Sequence, residues 1–320
     1  MLHVIANTRF FLTAFVMERL QGAEGVRVLP HGSHDRGLTH SLAKFAEASL
    51  PWAGLRSRAF AAGYLAQLRA IEPTDSVLVF GVENIKELRI LRRHIRARRR
   101  TLFTWNPVRD YQQNPLLRLV HIRALKGLGM EVVTFDPEDA QRHGLRLVDQ
   151  VYRDVSPYQE GDVAQDIDLY FVGQDKGRMP TLARLHAAAR QAGLRVHFHI
   201  TPDRQRAYTA QERALLTPAP LPYAENLAWV RRARCLLEVV QPHQSGPTVR
   251  SLEAAFFGKK LLTTRAAAVR DDLYTPGRVF VDGHDAPDRL GDFMQAPHPP
   301  IPPALLARHE AFARAQQARL

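Results

Sequence analysis

The chain carries a single cysteine, Cys235, among 320 residues. One thiol closes no intramolecular disulfide and cannot build a cysteine-based zinc cluster. Lysine is also scarce: six of the 44 basic residues are Lys and the rest are Arg. No apolar run approaches the ~18 residues of a membrane-spanning helix. The opening stretch MLHVIANTRFFLTAFVMERL has no basic start and holds Arg9 inside its apolar part. It therefore reads as a strand running into a helix rather than a signal peptide. Glycine and proline follow no fixed period, which excludes a collagen-like chain, and no repeat of about 20–50 residues is visible. The expectation is a reduced, cytoplasmic protein, with a peripheral seat at the inner face of the cell membrane as a variant of it.

What is present is the composition of a folded globular protein, 45% hydrophobic and 24% charged, which argues against disorder. The length suits two domains or one large one. The net charge of +12 points to nucleic acid, an anionic membrane surface or anionic small substrates. An arginine bias also follows from a GC-rich genome, so charge alone does not choose among these.

Short apolar runs alternate with helix-length segments. Strands are expected at Leu2–Ala6, Val26–Leu29, Val77–Phe80, Leu102–Trp105 and Val132–Phe135, with helices over 11–20, 40–48, 57–70, 84–98 and 115–128. The polar segment Arg153–Asp168 shows no period and reads as a linker. The alternation then resumes with strands at Leu169–Val172, Val196–Ile200, Cys235–Val240, Lys260–Thr263 and Arg278–Val281. Helices are expected over 179–192, 224–233, 248–257 and 303–319. Strands separated by helices of this length imply βαβ units and parallel sheets. The fold class is thus α/β, two Rossmann-like domains with mainly parallel sheets facing a cleft. The domains are expected at 1–155 and 165–300, followed by a C-terminal helix over 301–320 that crosses back to the first domain.

Two loops carry chemistry. In Phe171–Met179, FVGQDKGRM, a strand ends at Gly173 and Gly177 stands just before a helix. Glycine lets backbone N–H groups approach a ligand, and a helix N-terminus attracts anions. Lys176 and Arg178 add cations there; the bland alternative is an exposed turn with incidental charges. The spacing is not that of a Walker A loop. The second loop, within Gln241–Thr264, joins the strand CLLEVV to a helix through Gln244-Ser245-Gly246-Pro247-Thr248. Ser245, Gly246 and Thr248 offer hydroxyl and amide hydrogens to a phosphate, and Pro247 suits the first helical turn. Arg250 and Glu253 share a helical face near that terminus, where a carboxylate could receive ribose hydroxyls. The bland alternative is a surface Arg250–Glu253 pair and a plain N-cap at Ser245 or Thr248.

This strand, small-residue turn and helix with Glu253, followed by Ala-x-x-x-Gly-Lys-x-Leu-x-Thr at 254–263, resembles the donor-nucleotide motif of GT-B glycosyltransferases. Residues from about 168 to 285, with VGQDKGR and LPYAENLAWVRRARCLLEVVQ, are similar to bacterial transferases of capsule and lipopolysaccharide biosynthesis. The first half matches only in general pattern. The resemblance implies a nucleotide-sugar donor as substrate, no cofactor, and a glycan or lipid-linked glycan acceptor. It puts Gly173, Lys176 and Arg178 near the donor diphosphate, Leu221-Pro222-Tyr223 near the base, Ser245, Gly246 and Thr248 at the phosphate turn, and Glu253 at the ribose; Gln244 and Arg250 beside them are further donor-binding candidates. Core packing is the equal alternative for Tyr223. Retaining members often carry a second Glu before the helix Glu; here Gln244 and His243 stand there, which leans toward inversion.

An inverting enzyme needs a general base near the acceptor hydroxyl. Candidates in the first half are Glu83, Asp110, Asp35 and His34, unranked. Each also has a structural reading as a turn residue, a first-turn acid or an N-cap. No metal site is expected: no HExxH motif occurs, and Asp166 and Asp168 form a DxD-like pair that reads as solvated. The basic run Arg92–Arg100 reads as a solvated helix end, or as a contact with anionic lipid. The rivals are a nucleic-acid-binding protein, against which stands the lack of any helix-turn-helix or RNP motif, a sugar-nucleotide epimerase of GT-B-like fold, and an inactive scaffold of that shape.

Overall fold

The computed structural model describes residues 1–32, 60–82, 84–108, 115–241 and 244–310. They divide into two units, the first within Met1–Asp149 and the second Gln150–Glu310. In the first unit the chain runs β1 (Leu2–Ala6), α1 (Phe11–Glu18), β2 (Val26–Pro30), α2 (Ala62–Arg69), β3 (Ser76–Phe80), α3 (Ile85–His94), β4 (Arg99–Thr104), α4 (Pro115–Lys126), β5 (Glu131–Thr134), α5 (Pro137–His143) and β6 (Arg146–Leu147). The six strands form one sheet in the order β2-β1-β3-β4-β5-β6, and every pair is parallel. β1 and β3 are buried along their whole length, as strands covered on both faces must be. Ile5, Val79, Leu88, Leu91, Leu102 and Val132 belong to the core beneath the helices.

The second unit runs β7 (Ile167–Gln174), α6 (Met179–Gln191), β8 (Val196–Thr201), α7 (Ala210–Arg213), α8 (Tyr223–Arg232), β9 (Ala233–Glu238), α9 (Val249–Phe256), β10 (Lys260–Thr263), β11 (Val279–Val281), α10 (Leu290–Gln295) and α11 (Pro303–His309). Its five strands lie in the order β11-β10-β9-β7-β8, again all parallel. Leu169, Phe171, Leu182, Leu237, Leu262 and Phe280 belong to its core. Both units therefore have the parallel, helix-covered sheets expected of Rossmann-like domains.

Several local features differ from expectation. The division falls at Asp149, ahead of 155, because Tyr152 is fully buried in the second unit. Its backbone N–H donates to His309 O at 2.6 Å, and His309 Nδ1 meets Gln150 O at 2.9 Å. α5 and the short edge strand β6 were not expected; Asp136 caps α5 by accepting from Asp139 N at 3.1 Å, and Gly144 closes it at φ +56°. The basic run 92–100 is not one helix end: α3 stops at His94 and β4 opens at Arg99. Ile95 and Ala97 are buried between them. Of the DxD-like pair, Asp166 is exposed as expected and pairs with Arg232 at 2.8 Å, whereas Asp168 is buried and pairs with Arg195 at 3.0 Å. The helix expected over 40–48 lies outside the described residues, and so does the C-terminal stretch beyond 310. No described helix is long and apolar enough to cross a membrane.

Candidate functional site

In the second sheet, β7 lies between β8 and β9. Strand order reverses between β7 and β9, and the C-terminal ends of the two strands at such a point are the usual ligand position of an open parallel sheet. Both loops singled out from the sequence leave these two strands.

The loop after β7 holds Lys176 at φ +47° and Gly177 at φ +76°. Left-handed residues in a turn direct successive N–H groups toward one anion. Here that anion is the chain's own Asp203: Lys176 N donates to Oδ1 at 3.1 Å, Gly177 N to Oδ2 at 3.2 Å and Gln174 Nε2 to Oδ1 at 2.9 Å. Asp175, fully buried, accepts from Met179 N at 2.6 Å, Arg206 Nη1 at 2.9 Å and Tyr208 Oη at 2.9 Å. Arg178 is committed to backbone carbonyls. It donates to Asp175 O at 3.0 Å, to Val239 O at 2.6 Å and to Gln174 O. Burial pushes its guanidinium down to about 10, against Asp175, which pulls the other way. A Cβ on Gly173 would stand 3.1 Å from Arg178 Nη2, so the small residue leaves room for that side chain. Lys176 is the exposed cation of this loop.

The loop after β9 is clamped by Glu238, which is 1% exposed. Its carboxylate accepts from Thr248 N at 2.8 Å, Ser251 Oγ at 2.6 Å and Thr263 Oγ1 at 2.6 Å, with Arg265 at 3.6 Å. Burial raises its pKa, but Arg265 and the three hydrogen bonds outweigh burial and hold it below the ordinary carboxylate value. Thr248 then caps α9, its hydroxyl accepting from Arg250 N at 3.0 Å. Gln244 and Ser245 are half-buried and Gly246 is buried in the same loop.

Glu253 is fully buried on α9. Its Oε1 accepts from Tyr223 Oη at 2.5 Å and from Asn226 Nδ2 at 3.1 Å, while Arg250 pairs with Oε2. Tyr152 Oη meets Tyr223 Oη at 2.6 Å, and Tyr170 Oη donates to Asn226 Oδ1 at 3.1 Å. Burial, first of several causes, holds Tyr152, Tyr170 and Tyr223 well above the ordinary phenol range, so all three act as neutral hydroxyls. The Arg250–Glu253 pair thus forms, but inside a buried network rather than on the surface. A ribose hydroxyl would reach Glu253 only by displacing a member of that network.

Of the sequence candidates, Gly173, Lys176 and Arg178 share the β7 loop, and Gln244, Ser245, Gly246, Thr248 and Arg250 share the β9 loop. Tyr223 joins Glu253 through its hydroxyl. The candidate bases Glu83, Asp110, Asp35 and His34 lie outside the described residues, as does His243. Glu238, Asp175, Asn226 and Tyr152 were missed, although Glu238 stood in plain view as the one acid inside CLLEVV. In the first unit, buried His31 was also missed; it follows β2 and meets Tyr64 Oη at 3.0 Å and Glu87 Oε2 at 2.8 Å. A Cβ on Gly32 would stand 2.9 Å from the Tyr64 ring, so that turn requires glycine.

No protein-family model and no curated protein matches the chain. Among solved structures, it is similar to AviGT4, a glycosyltransferase involved in avilamycin A biosynthesis, at 14% identity and a TM-score of 0.49, over 99% of this chain and 94% of the other. It is similar to the glycotransferase of kitacinnamycin at 13% identity and a TM-score of 0.42, over 99% and 95%. MurG of Acinetobacter baumannii follows at 15% identity and a TM-score of 0.37, over 99% and 94%.

Proposed function

We propose that the chain is a glycosyltransferase that takes a sugar from a nucleotide donor bound at the β7/β9 crevice. One observation carries this reading: two loops suited to anions leave adjacent strands where the sheet order reverses, and Arg178 ties them together through Val239 O. The α9 N-terminus, Lys176 and Arg250 supply positive potential where a departing diphosphate would gain charge. In the reaction an acceptor hydroxyl attacks the anomeric carbon, its proton passes to a base, and the bond to the diphosphate breaks. We take the acceptor to be a glycan or lipid-linked glycan of a surface polysaccharide, and the transfer to be inverting and independent of metal.

The nucleic-acid reading has less support. The sequence carries no helix-turn-helix or RNP motif, and several arginines of the second unit are held in ion pairs, as in Arg184–Asp282, Arg195–Asp168, Arg232–Asp166 and Arg308–Asp272.

The test is release of nucleotide from UDP-, GDP-, TDP- and CMP-sugars, with Lys176→Ala alongside. Turnover with one nucleotide family, reduced about tenfold or more in the variant, supports the reading. No turnover with any donor, together with polynucleotide binding that falls steeply with salt, contradicts it.

A further inference from the structure

Arg250 is the second residue of α9, just after the Thr248 cap, and its side chain is 14% exposed. Its Nη1 faces inward, paired with Glu253 Oε2 and 3.5 Å from Asn226 Oδ1. Its Nε and Nη2 make no hydrogen bond among the described residues, and neither belongs to the buried polar atoms left without a partner there. Those two nitrogens therefore reach solvent. They do so close to the β7 loop: the guanidinium of Arg178, lowered first by burial and raised by Asp175, is lowered further by the charge of Arg250.

The inward half of this side chain sits on a closed mount. Glu253 is fully buried; its Oε1 takes Tyr223 Oη at 2.5 Å and Asn226 Nδ2 at 3.1 Å, and its Oε2 takes Arg250. Behind them, Tyr170 Oη holds Asn226 at 3.1 Å and Tyr152 Oη holds Tyr223 at 2.6 Å. Tyr223 gives its one hydroxyl hydrogen to Glu253, so Tyr152 is the donor between the two phenols. A carboxylate with three partners and no exposed surface presents no face to a ligand. One of its partners does: Arg250 carries uncommitted N–H groups out to solvent.

We propose that Glu253 is a positioning residue for the donor diphosphate, fixing Arg250 so that its Nε/Nη2 edge is held ready for the phosphates, and that it does not bind the ribose. The inference rests on the donor reading of the β7/β9 strand ends and gives its buried carboxylate a different task from the one the resemblance implies. A loose arginine side chain loses rotamer freedom when it meets a phosphate. Here the folded network has already removed that freedom. Nε and Nη2 share one edge of the planar guanidinium, the geometry that meets a phosphate with two parallel hydrogen bonds.

The test is a set of calorimetric titrations with UDP, GDP and TDP and with inorganic pyrophosphate, which has the diphosphate and no ribose. They compare the native chain, Glu253→Gln, Arg250→Ala and the double variant. Glu253→Gln is expected to weaken the nucleotide that binds and pyrophosphate by one common factor, about fivefold to tenfold. The double variant is expected to bind no worse than Arg250→Ala alone, because a residue that acts through another adds nothing once the other is gone. Loss for the nucleotide with pyrophosphate unchanged, or losses that multiply in the double variant, would reveal a ribose contact and overturn the inference while the donor site stands. An unchanged nucleotide Kd in Glu253→Gln overturns it as well. Should Glu253→Gln fail to fold, Asn226→Ala, which deletes one hydrogen bond to Glu253, takes its place in the same cycle. Binding of none of these ligands by the native chain removes the donor reading itself, and the inference with it.

Discussion

Arg178 donates from Nη1 to the carbonyl oxygen of Val239 at 2.6 Å and so joins the loop after β7 to the loop after β9. Its other hydrogen bonds reach Asp175 O and Gln174 O on its own loop. Arg178→Ala would leave these carbonyls short of a donor and loosen both loops together. The expected loss of unfolding free energy is about 2–4 kcal/mol, measured by urea titration. Lys176→Ala, two loop positions away and exposed, should stay within about 0.5 kcal/mol of the native chain. Equal losses in the two variants would show that Arg178 does not tie the loops.

Asp203 holds the N–H groups of Lys176 and Gly177 that a donor phosphate would use. A phosphate has to displace that carboxylate before it can bind there. Asp203→Asn keeps an acceptor but removes the charge. Its expected effect is tighter nucleoside diphosphate binding, by about fivefold to tenfold in Kd, or roughly 1–1.4 kcal/mol. Calorimetric titration measures this. Weaker binding in the variant would mean that Asp203 shapes the loop rather than competes with the ligand.

Glu238 sets a pH limit. Its folded-state pKa lies below the ordinary value despite burial, through Arg265, Ser251, Thr263 and Thr248. A depressed carboxylate contributes stability above its unfolded pKa of about 4.3, and that contribution is lost as pH falls through the folded value. Thermal unfolding between pH 6 and pH 3 should therefore show a steep acid loss in the native chain. In Glu238→Gln the slope should be shallower, with a loss of about 2–4 kcal/mol already present at neutral pH. Parallel pH profiles would refute the assignment.

Much of the architecture was legible because burial of strands leaves a pattern in one dimension. β1 was placed residue for residue, and the alternation of strand and helix announced both parallel sheets. β6 escaped because two exposed residues on a sheet edge carry no apolar run. α5 escaped because its sequence, PEDAQRH, has no apolar stripe, although Asp136 before it with Pro137 at its first position is a start signal and Gly144 after it a stop signal. The site was legible as loops and illegible as contacts. Nothing near Glu253 in sequence says that Tyr152, a hundred residues earlier by number, lies beyond Tyr223 in the same hydrogen-bond chain. Asp203 on the Lys176 loop is a partner of the same kind, supplied by the end of the neighbouring strand. Partners of buried polar groups are tertiary facts.

Phe10 and Phe11 are 41% and 50% exposed, with ring centroids 4.9 Å apart. They follow β1, beside the point where the first sheet reverses its order between β1 and β3. An exposed aromatic pair suits a sugar ring or lipid chain of an acceptor. Phe10→Ser with Phe11→Ser should raise the acceptor KM about tenfold and leave the Kd for nucleotide unchanged. Steady-state kinetics with varied acceptor checks this; an altered nucleotide Kd with an unaltered acceptor KM would oppose it.

The most direct measurement is calorimetric titration of the native chain with UDP, GDP, TDP and CMP, repeated with Lys176→Ala. One nucleotide is expected to bind with a Kd of about 1 µM to tens of µM, weakened about tenfold in the variant, a loss of about 1.4 kcal/mol. Binding of none of the four by the folded protein, or binding that Lys176→Ala leaves unchanged, would contradict a donor site at the β7/β9 crevice.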